Sequence, residues 1–386
     1  MDTLRVRIYN VLFGDAILVS IPEKDERGRK TTVNVLFDVG NALAGPAGDD
    51  SVFKAVLGNI RDELGGKPLD LYVMTHEHMD HIQGPLFGSQ KLNIALTAKH
   101  VWMTASSAKD YYQRFTDARK KRSLALALFE RTAAFCAKST APLPRGLAAL
   151  LAINDPRTSQ DCVDFIRKLA PGEPVYVHRE ANADGHHPFR RTTFRILAPE
   201  EDTSIYYGRL GPSTLGAMTN DVAPTLLAPE TITPPAGVAA GHFFDLVRFR
   251  SSGMADNLRT IDKAANNSSV ALELEWEGWR LLFPGDAEEK SWEVMDRLKL
   301  LRPVHFLKVS HHGSKNGTPA IVTDKVLPEQ AHDSRPRFAV VSTEVGAYPG
   351  VPDEDTLTRL AGRATLHDTR SLAPGAFFDL TFDARA

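Results

Sequence analysis

The feature that most constrains this chain is a largely apolar run, Leu69 to Met74, that leads directly into Thr75-His76-Glu77-His78-Met79-Asp80-His81. A short apolar run of this kind reads as a buried strand. Immediately after it come four side chains able to ligate a divalent ion: His76, His78, Asp80 and His81. Neutral imidazole and carboxylate are the usual ligands of zinc and similar ions. The order His-x-His-x-Asp-His offers two adjacent positions. His76 and His78, two apart on an extended strand end, grip one ion, and Asp80 and His81 turn to grip a second. The alternative is a chance convergence of four ligand-type residues.

Around this segment the pattern alternates between strands and helices. Leu4 to Asn10 and Ala16 to Ile21 read as a hairpin turning at Gly14-Asp15, and Thr32 to Asp38 as a third strand. A helix follows from about Asp50 to Leu64, stopped by Gly65-Gly66. Lys109 to Lys138 reads as one helix, Phe189 to Pro199 as a strand and Thr214 to Gly241 as a long loop. Ser269 to Trp276 and Trp279 to Phe283 form a hairpin at Glu277-Gly278. A helix over Glu288 to Leu300, strands His305 to Val309 and Phe338 to Ser342, a helix near Asp353 to Leu360 and a final strand Phe377 to Phe382 complete the chain. Strand clusters at both ends, mixed with helices, predict two sheets covered by helices, an α/β sandwich.

With 386 residues, 42% of them apolar and 24% charged, the chain has the composition of a soluble globular protein with a large core. No stretch approaches the roughly 18 apolar residues of a membrane helix. Met1-Asp2-Thr3-Leu4-Arg5 runs straight into a strand pattern and shows no signal peptide, so a cytoplasmic location without membrane contact is the expectation. Cys136 and Cys162 have no partner motif and read as buried, inert thiols. A net charge of −2 argues against a protein that coats nucleic acid nonspecifically.

His76-x-His78-x-Asp80-His81 followed by Gly84 resembles the signature of the metallo-β-lactamase superfamily. The resemblance continues in chain order. Asp38-x-Gly40 looks like the family's strand-end aspartate, which supports the metal loop and orients a ligand imidazole. Phe283-x-Gly285-Asp286 is similar to the segment whose aspartate bridges two metals, and His311-His312-Gly313 to the last metal-binding histidine segment. These pieces cover residues 4–90 and 265–382. They imply an α/β chain of αββα four-layer sandwich type, one domain over residues 1–386, with a partly helical insertion or cap over 90–260. The implied metal ligands are His76, His78, Asp80, His81, Asp286 and His312. His312 is taken as the ligand because it directly precedes Gly313. His311 then faces the substrate or leaving group, and with Asp80 forms the implied catalytic pair.

One element departs from the pattern. Many members carry a histidine before the strand that corresponds to Ser269-Val270-Ala271-Leu272, where this chain has Ala265-Asn266-Asn267-Ser268. Either Asn266 sits near the metal or a water fills the place of the third histidine. That departure disfavours lactamase and glyoxalase activity. Asn-x-x-Ser-Val, then Gly-Asp, then Leu-Lys-Val-Ser-His-His-Gly-Ser, with Gly14-Asp15-Ala16-Ile17-Leu18 upstream, looks like the hydrolase domain of the bacterial DNA-uptake channel (ComEC-like). A second departure is Tyr348-Pro349-Gly350, where a His-Pro pair is expected.

The resemblance thus implies a hydrolase with two divalent ions, zinc first and manganese next. A metal-bound hydroxide would attack a phosphodiester in a small molecule or a nucleic acid. Hydrolysis of a carboxylic ester, lactone or thioester uses the same ligands, and a non-catalytic metal-binding scaffold is the third reading. Alone, Gly285-Asp286 would be only a turn. Asp15 reads as closing a hairpin and Lys308 as pointing away from the site. His100, His178, His242, His305, His332 and His367 read as isolated, and His186-His187 as a surface or core pair, with a substrate lip the alternative. Arg119-Lys120-Lys121-Arg122 reads as a solvated helix face, with contact to phosphates the alternative.

Overall fold

The computed structural model describes residues 2–41, 51–137, 143, 145–208, 257–344, 346–347 and 350–384. The loop read over Thr214–Gly241, His242 and the Tyr348-Pro349 pair lie outside them. Alternation builds the first sheet. In β1 (Thr3–Tyr9) Leu4, Val6 and Ile8 are fully buried in one core layer. β2 (Ala16–Lys24) and β3 (Lys30–Val39) add antiparallel neighbours, the first through the expected hairpin. α1 (Val52–Leu64) buries Phe53, Val56, Leu57, Ile60 and Leu64, a helical spacing. Gly65, at φ 58°, ends it with its N–H on the Asp62 carbonyl.

β4 (Leu69–Met74) is buried along its whole length and runs parallel to β3. Parallel strands covered on both faces read as continuous apolar runs, which is why this segment lacks alternation. α2 (Met79–Phe87) follows it, then β5 (Ala98–Thr104), helices α3 (Tyr111–Arg114), α4 (Thr116–Cys136), α5 (Arg145–Ile153) and α6 (Pro156–Ile166), and β6 (Val175–Val177). With β13 (Phe377–Asp383) paired on β1, the sheet order is β13-β1-β2-β3-β4-β5-β6.

The second sheet opens with β7 (Thr193–Ala198), continues after a helix over 257–267 (α7), and takes in β8 (Ala271–Trp276) and β9 (Trp279–Phe283) as antiparallel neighbours. β10 (Phe306–Lys308), β11 (Phe338–Val341) and β12 (Thr365–Asp368) extend it in parallel, giving the order β12-β11-β10-β9-β8-β7. α8 (Glu289–Arg297), α9 (Ala320–Lys325) and α10 (Glu354–Ala361) alternate with these strands. Val6, Val35 and Val73 of the first sheet share a core with Leu272, Leu281 and Phe306 of the second. Outside it, Phe53 and Ile60 of α1 pack on Tyr72 and Met74. On the other flank Trp292 of α8 and Leu360 of α10 pack on Leu282 and Leu307. The molecule is therefore an α/β sandwich.

Three sequence expectations change. The helix over Lys109–Lys138 is two helices, broken at Phe115, whose ring stacks toward Tyr111 with centroids 4.7 Å apart. The strand expected from Phe189 starts only at Thr193, because the backbone N–H groups of Arg190, Arg191 and Thr192 turn onto the Glu23 carboxylate. The interval 90–260 contributes three strands, β5, β6 and β7, to the two sheets themselves. Cys136 and Cys162 are buried free thiols, and burial pushes Cys162 up to about 12. Among the described residues no helix is long and apolar enough to cross a membrane.

His305, fully buried ahead of β10, makes stability depend on pH. Its Nδ1 accepts the Arg280 backbone N–H at 2.9 Å, so the ring carries its proton on Nε2, which faces the Asp333 carboxylate at 3.1 Å. Burial, outweighing Asp333, lowers its pKa from 6.5 to about 4. The unfolded chain therefore binds a proton in this window that the folded chain refuses. The neutral ring's contribution is complete above about pH 6.5 and is lost as pH falls through 4. His305→Asn should flatten the stability–pH curve between those values in denaturant unfolding. A curve of unchanged slope there would contradict this.

Candidate metal centre

Parallel pairing puts the ends of β3, β4, β9, β10 and β11 on one edge of the sandwich, and the sequence-predicted residues lie just beyond those ends. Tight backbone crossing brings them together. A side chain at Gly40 would place its Cβ 2.1 Å from the Asp80 carbonyl carbon and 2.2 Å from the His81 nitrogen, so only glycine lets the β3 end run against the start of α2. Asp80, His81, Asp286 and His312 offer ligand atoms within 4.8 Å of one another, and all four are buried. Asp286 Oδ2 lies 3.2 Å from both His81 Nε2 and His312 Nε2. Asp80 Oδ2 lies 3.1 Å from His312 Nε2.

Outer hydrogen bonds fix which nitrogen each imidazole presents. His312 Nδ1 lies 2.8 Å from the Ser342 carbonyl, an acceptor only, so it carries the proton there. His81 Nδ1 donates to Asp38 Oδ2 at 2.8 Å. Thr75 gives its hydroxyl proton to Asp38 Oδ2 at 2.6 Å and so accepts from His76 Nδ1 at 3.1 Å. Asp38 Oδ1 also takes the Thr75 backbone N–H at 2.8 Å. In all three rings Nε2 is left to the interior, the arrangement that orients metal-ligating histidines.

The chemistry of the donor set fits a cation. His76 Nε2, Asp80 Oδ1, His81 Nε2, Asp286 Oδ1 and Asn266 Oδ1 are all buried with no hydrogen-bond partner. Orphaned buried polar atoms are costly and rare, and here they sit on residues converging at one edge. Burial opposes charge on His81 and His312, yet the neighbouring Asp286 and Asp80 carboxylates outweigh it and raise both, His312 to about 10. The same histidines, against burial, hold Asp286 well below the usual carboxylate range. His76 moves the other way, pushed well below 6.5 by burial and by His81 and His78. Backbone strain accompanies the site: Asp38, His311 and His312 have φ of 52°, 46° and 52°. Non-glycine residues in that region cost about 1–3 kcal/mol each and concentrate at functional sites.

A second group lies alongside. Asp262, Glu288 and His311 offer ligand atoms within 4.8 Å. His311 Nδ1 is 3.2 Å from Glu288 Oε1, and Asn266 Nδ2 donates to that oxygen at 2.8 Å. Asn154 joins the group to His78, whose Nε2 is 3.1 Å from Asn154 Oδ1. That leaves His78 Nδ1 as the nitrogen available for a ligand role. The paired histidines thus diverge: His312 enters the four-residue cluster and His311 pairs with Glu288.

Two readings are corrected. Lys308 does not point away: it is fully buried, and its Nζ donates to Asp15 Oδ2. Asp15 does more than close a hairpin, since the same carboxylate oxygen lies 3.9 Å from His81 Nδ1. A lysine inside the apolar run Phe306-Leu307-Lys308-Val309 was the available signal, because a buried amine needs a partner. Glu288 and Asp262 gave none, sitting in ordinary helical patterns. His186 and His187 make packing contacts: the His186 carbonyl accepts from Trp102, and His187 packs edge-on to Phe194. Neither a protein-family model nor a curated protein matches this chain.

Proposed function

We propose that this chain is a metal-dependent hydrolase of the metallo-β-lactamase fold, acting as a two-metal phosphodiesterase. The observation that carries the reading is the set of unpartnered buried donor atoms on His76, Asp80, His81, Asp286 and Asn266. Asp80, His81 and His312 would hold one ion, zinc or manganese, and His76 and His78 the other. Asp286 would serve both, and Asn266 stands in the place of a third histidine. A divalent ion in such a site supplies Lewis acidity and lowers the pKa of water, to about 7 in the best-known zinc case.

The protein's own residues do the rest. Asp38, Thr75 and the Ser342 carbonyl aim three imidazoles inward and exclude other tautomers. Asp80 steers the nucleophile's proton. His311, whose side chain is 18% exposed, is oriented by Glu288 to hand a proton to the leaving group.

Hydrolysis of bis(p-nitrophenyl) phosphate with added zinc or manganese tests this, wild type beside Asp80→Ala. Turnover by the wild type that falls to background in the variant is the expected result. A wild type that binds metal and leaves the diester intact would overturn the phosphodiesterase reading and leave ester, lactone or thioester hydrolysis ahead.

A further inference from the structure

A cavity of about 100 Å³ opens beside the centre, with Glu77, His78, Tyr112, Arg122 and Tyr207 among its walls. Arg122 belongs to the basic run on α4, where a solvated face was expected. Its neighbour Lys120 is indeed largely exposed, but Arg122 turns inward. Its guanidinium lies 4.4 Å from the centroid of the Tyr112 ring, and Tyr207 shares the same wall. Among the described residues no carboxylate lies within ion-pair distance of Arg122 and no acceptor takes its N–H groups. Glu77 acts on it only through its field. A guanidinium has five donors in a rigid fork matched to carboxylate and phosphate oxygens. Half-buried and without a protein acceptor among the described residues, it stands in the same cavity as His78 of the candidate centre, among apolar walls such as Leu126 and Phe129.

We propose that Arg122 is the anchor of the substrate pocket, binding a carboxylate or phosphate on the part of the substrate that does not react. That assignment to the substrate rests on the hydrolytic reading of the centre; the anion site itself does not. Size narrows the class. One water needs about 10–15 Å³ in this measure, so the cavity holds one oxyanion on a short alkyl stem. The group that enters this cavity is therefore a small anionic one.

Calorimetric titration of the protein with butyl phosphate, hexanoate and butanol tests the proposal, and the two anions separate the phosphate source from the carboxylate source. Wild type should bind at least one anion at a single site and leave butanol unbound. Arg122→Gln should weaken that binding at least tenfold, with Arg122→Lys in between, while circular dichroism shows both folded. No anion binding by wild type, or equal binding by folded Arg122→Gln, overturns the proposal. Should the glutamine variant fail to fold, equal affinity of wild type and Arg122→Lys for both anions overturns it. The readout is binding, so loss of diester turnover and loss of the anion site are seen separately.

Discussion

If the cluster holds a divalent ion as proposed, an Asp286→Ala variant should bind none and show no metal-dependent turnover. One carboxylate oxygen of Asp286 touches both His81 and His312 at 3.2 Å, while the other is buried and unpartnered. Asp80 reaches His312 at 3.1 Å but stays 3.9 Å from His81. Removing Asp286 therefore takes away the carboxylate that, among the described residues, lies within 3.2 Å of both imidazoles, and a water in the gap cannot restore the negative charge. Metal content by mass spectrometry, with thermal melting in zinc, measures the effect. A ligand at 100 times its Kd stabilises by about 2.7 kcal/mol, which the wild type should show as a metal-dependent rise in Tm. The alanine variant should show none. Wild-type metal content in the variant would remove Asp286 from the centre.

The second large effect concerns the buried ion pair. Lys308→Met should destabilise the protein by about 3–5 kcal/mol, because it strands the Asp15 carboxylate in a site with almost no access to water. The double variant Asp15→Leu with Lys308→Met should recover most of that loss, since a well-packed apolar pair often replaces a buried ion pair at little cost. Denaturant unfolding of the three variants, compared as a cycle, gives the coupling. A loss below about 1 kcal/mol in Lys308→Met would mean that water reaches Asp15.

What could be read in the sequence follows from how local each signal is. The hairpin of β1 and β2, the apolar β4 and the turn at Glu277-Gly278 are written in neighbouring residues, and the structure places them there. Asp38, anticipated as a support for the metal loop, binds Thr75 and the His81 ring. Contacts made only when the two sheets close could not be paired from the sequence, even where one partner, Lys308 in an apolar run, stood out. Asp15 and Lys308 stand 293 positions apart, and Glu288 meets His311 from a helix start that reads as ordinary capping sequence. The interval 90–260 was hardest. β6 has only 3 residues, and α4 turns Ala125, Leu126 and Phe129 toward a cavity, so periodicity says little there.

The cluster draws its members evenly from the two halves of the sandwich, Asp80 and His81 from the start of α2 after β4, Asp286 and His312 from beyond the ends of β9 and β10. Asp80 and His312 are 232 positions apart. A shared ion would then work as a non-covalent staple across the long chain closure between them, much as a disulfide restricts an unfolded chain. Chelating that ion would release the two sheets from each other at this edge, so it would cost fold stability as well as turnover.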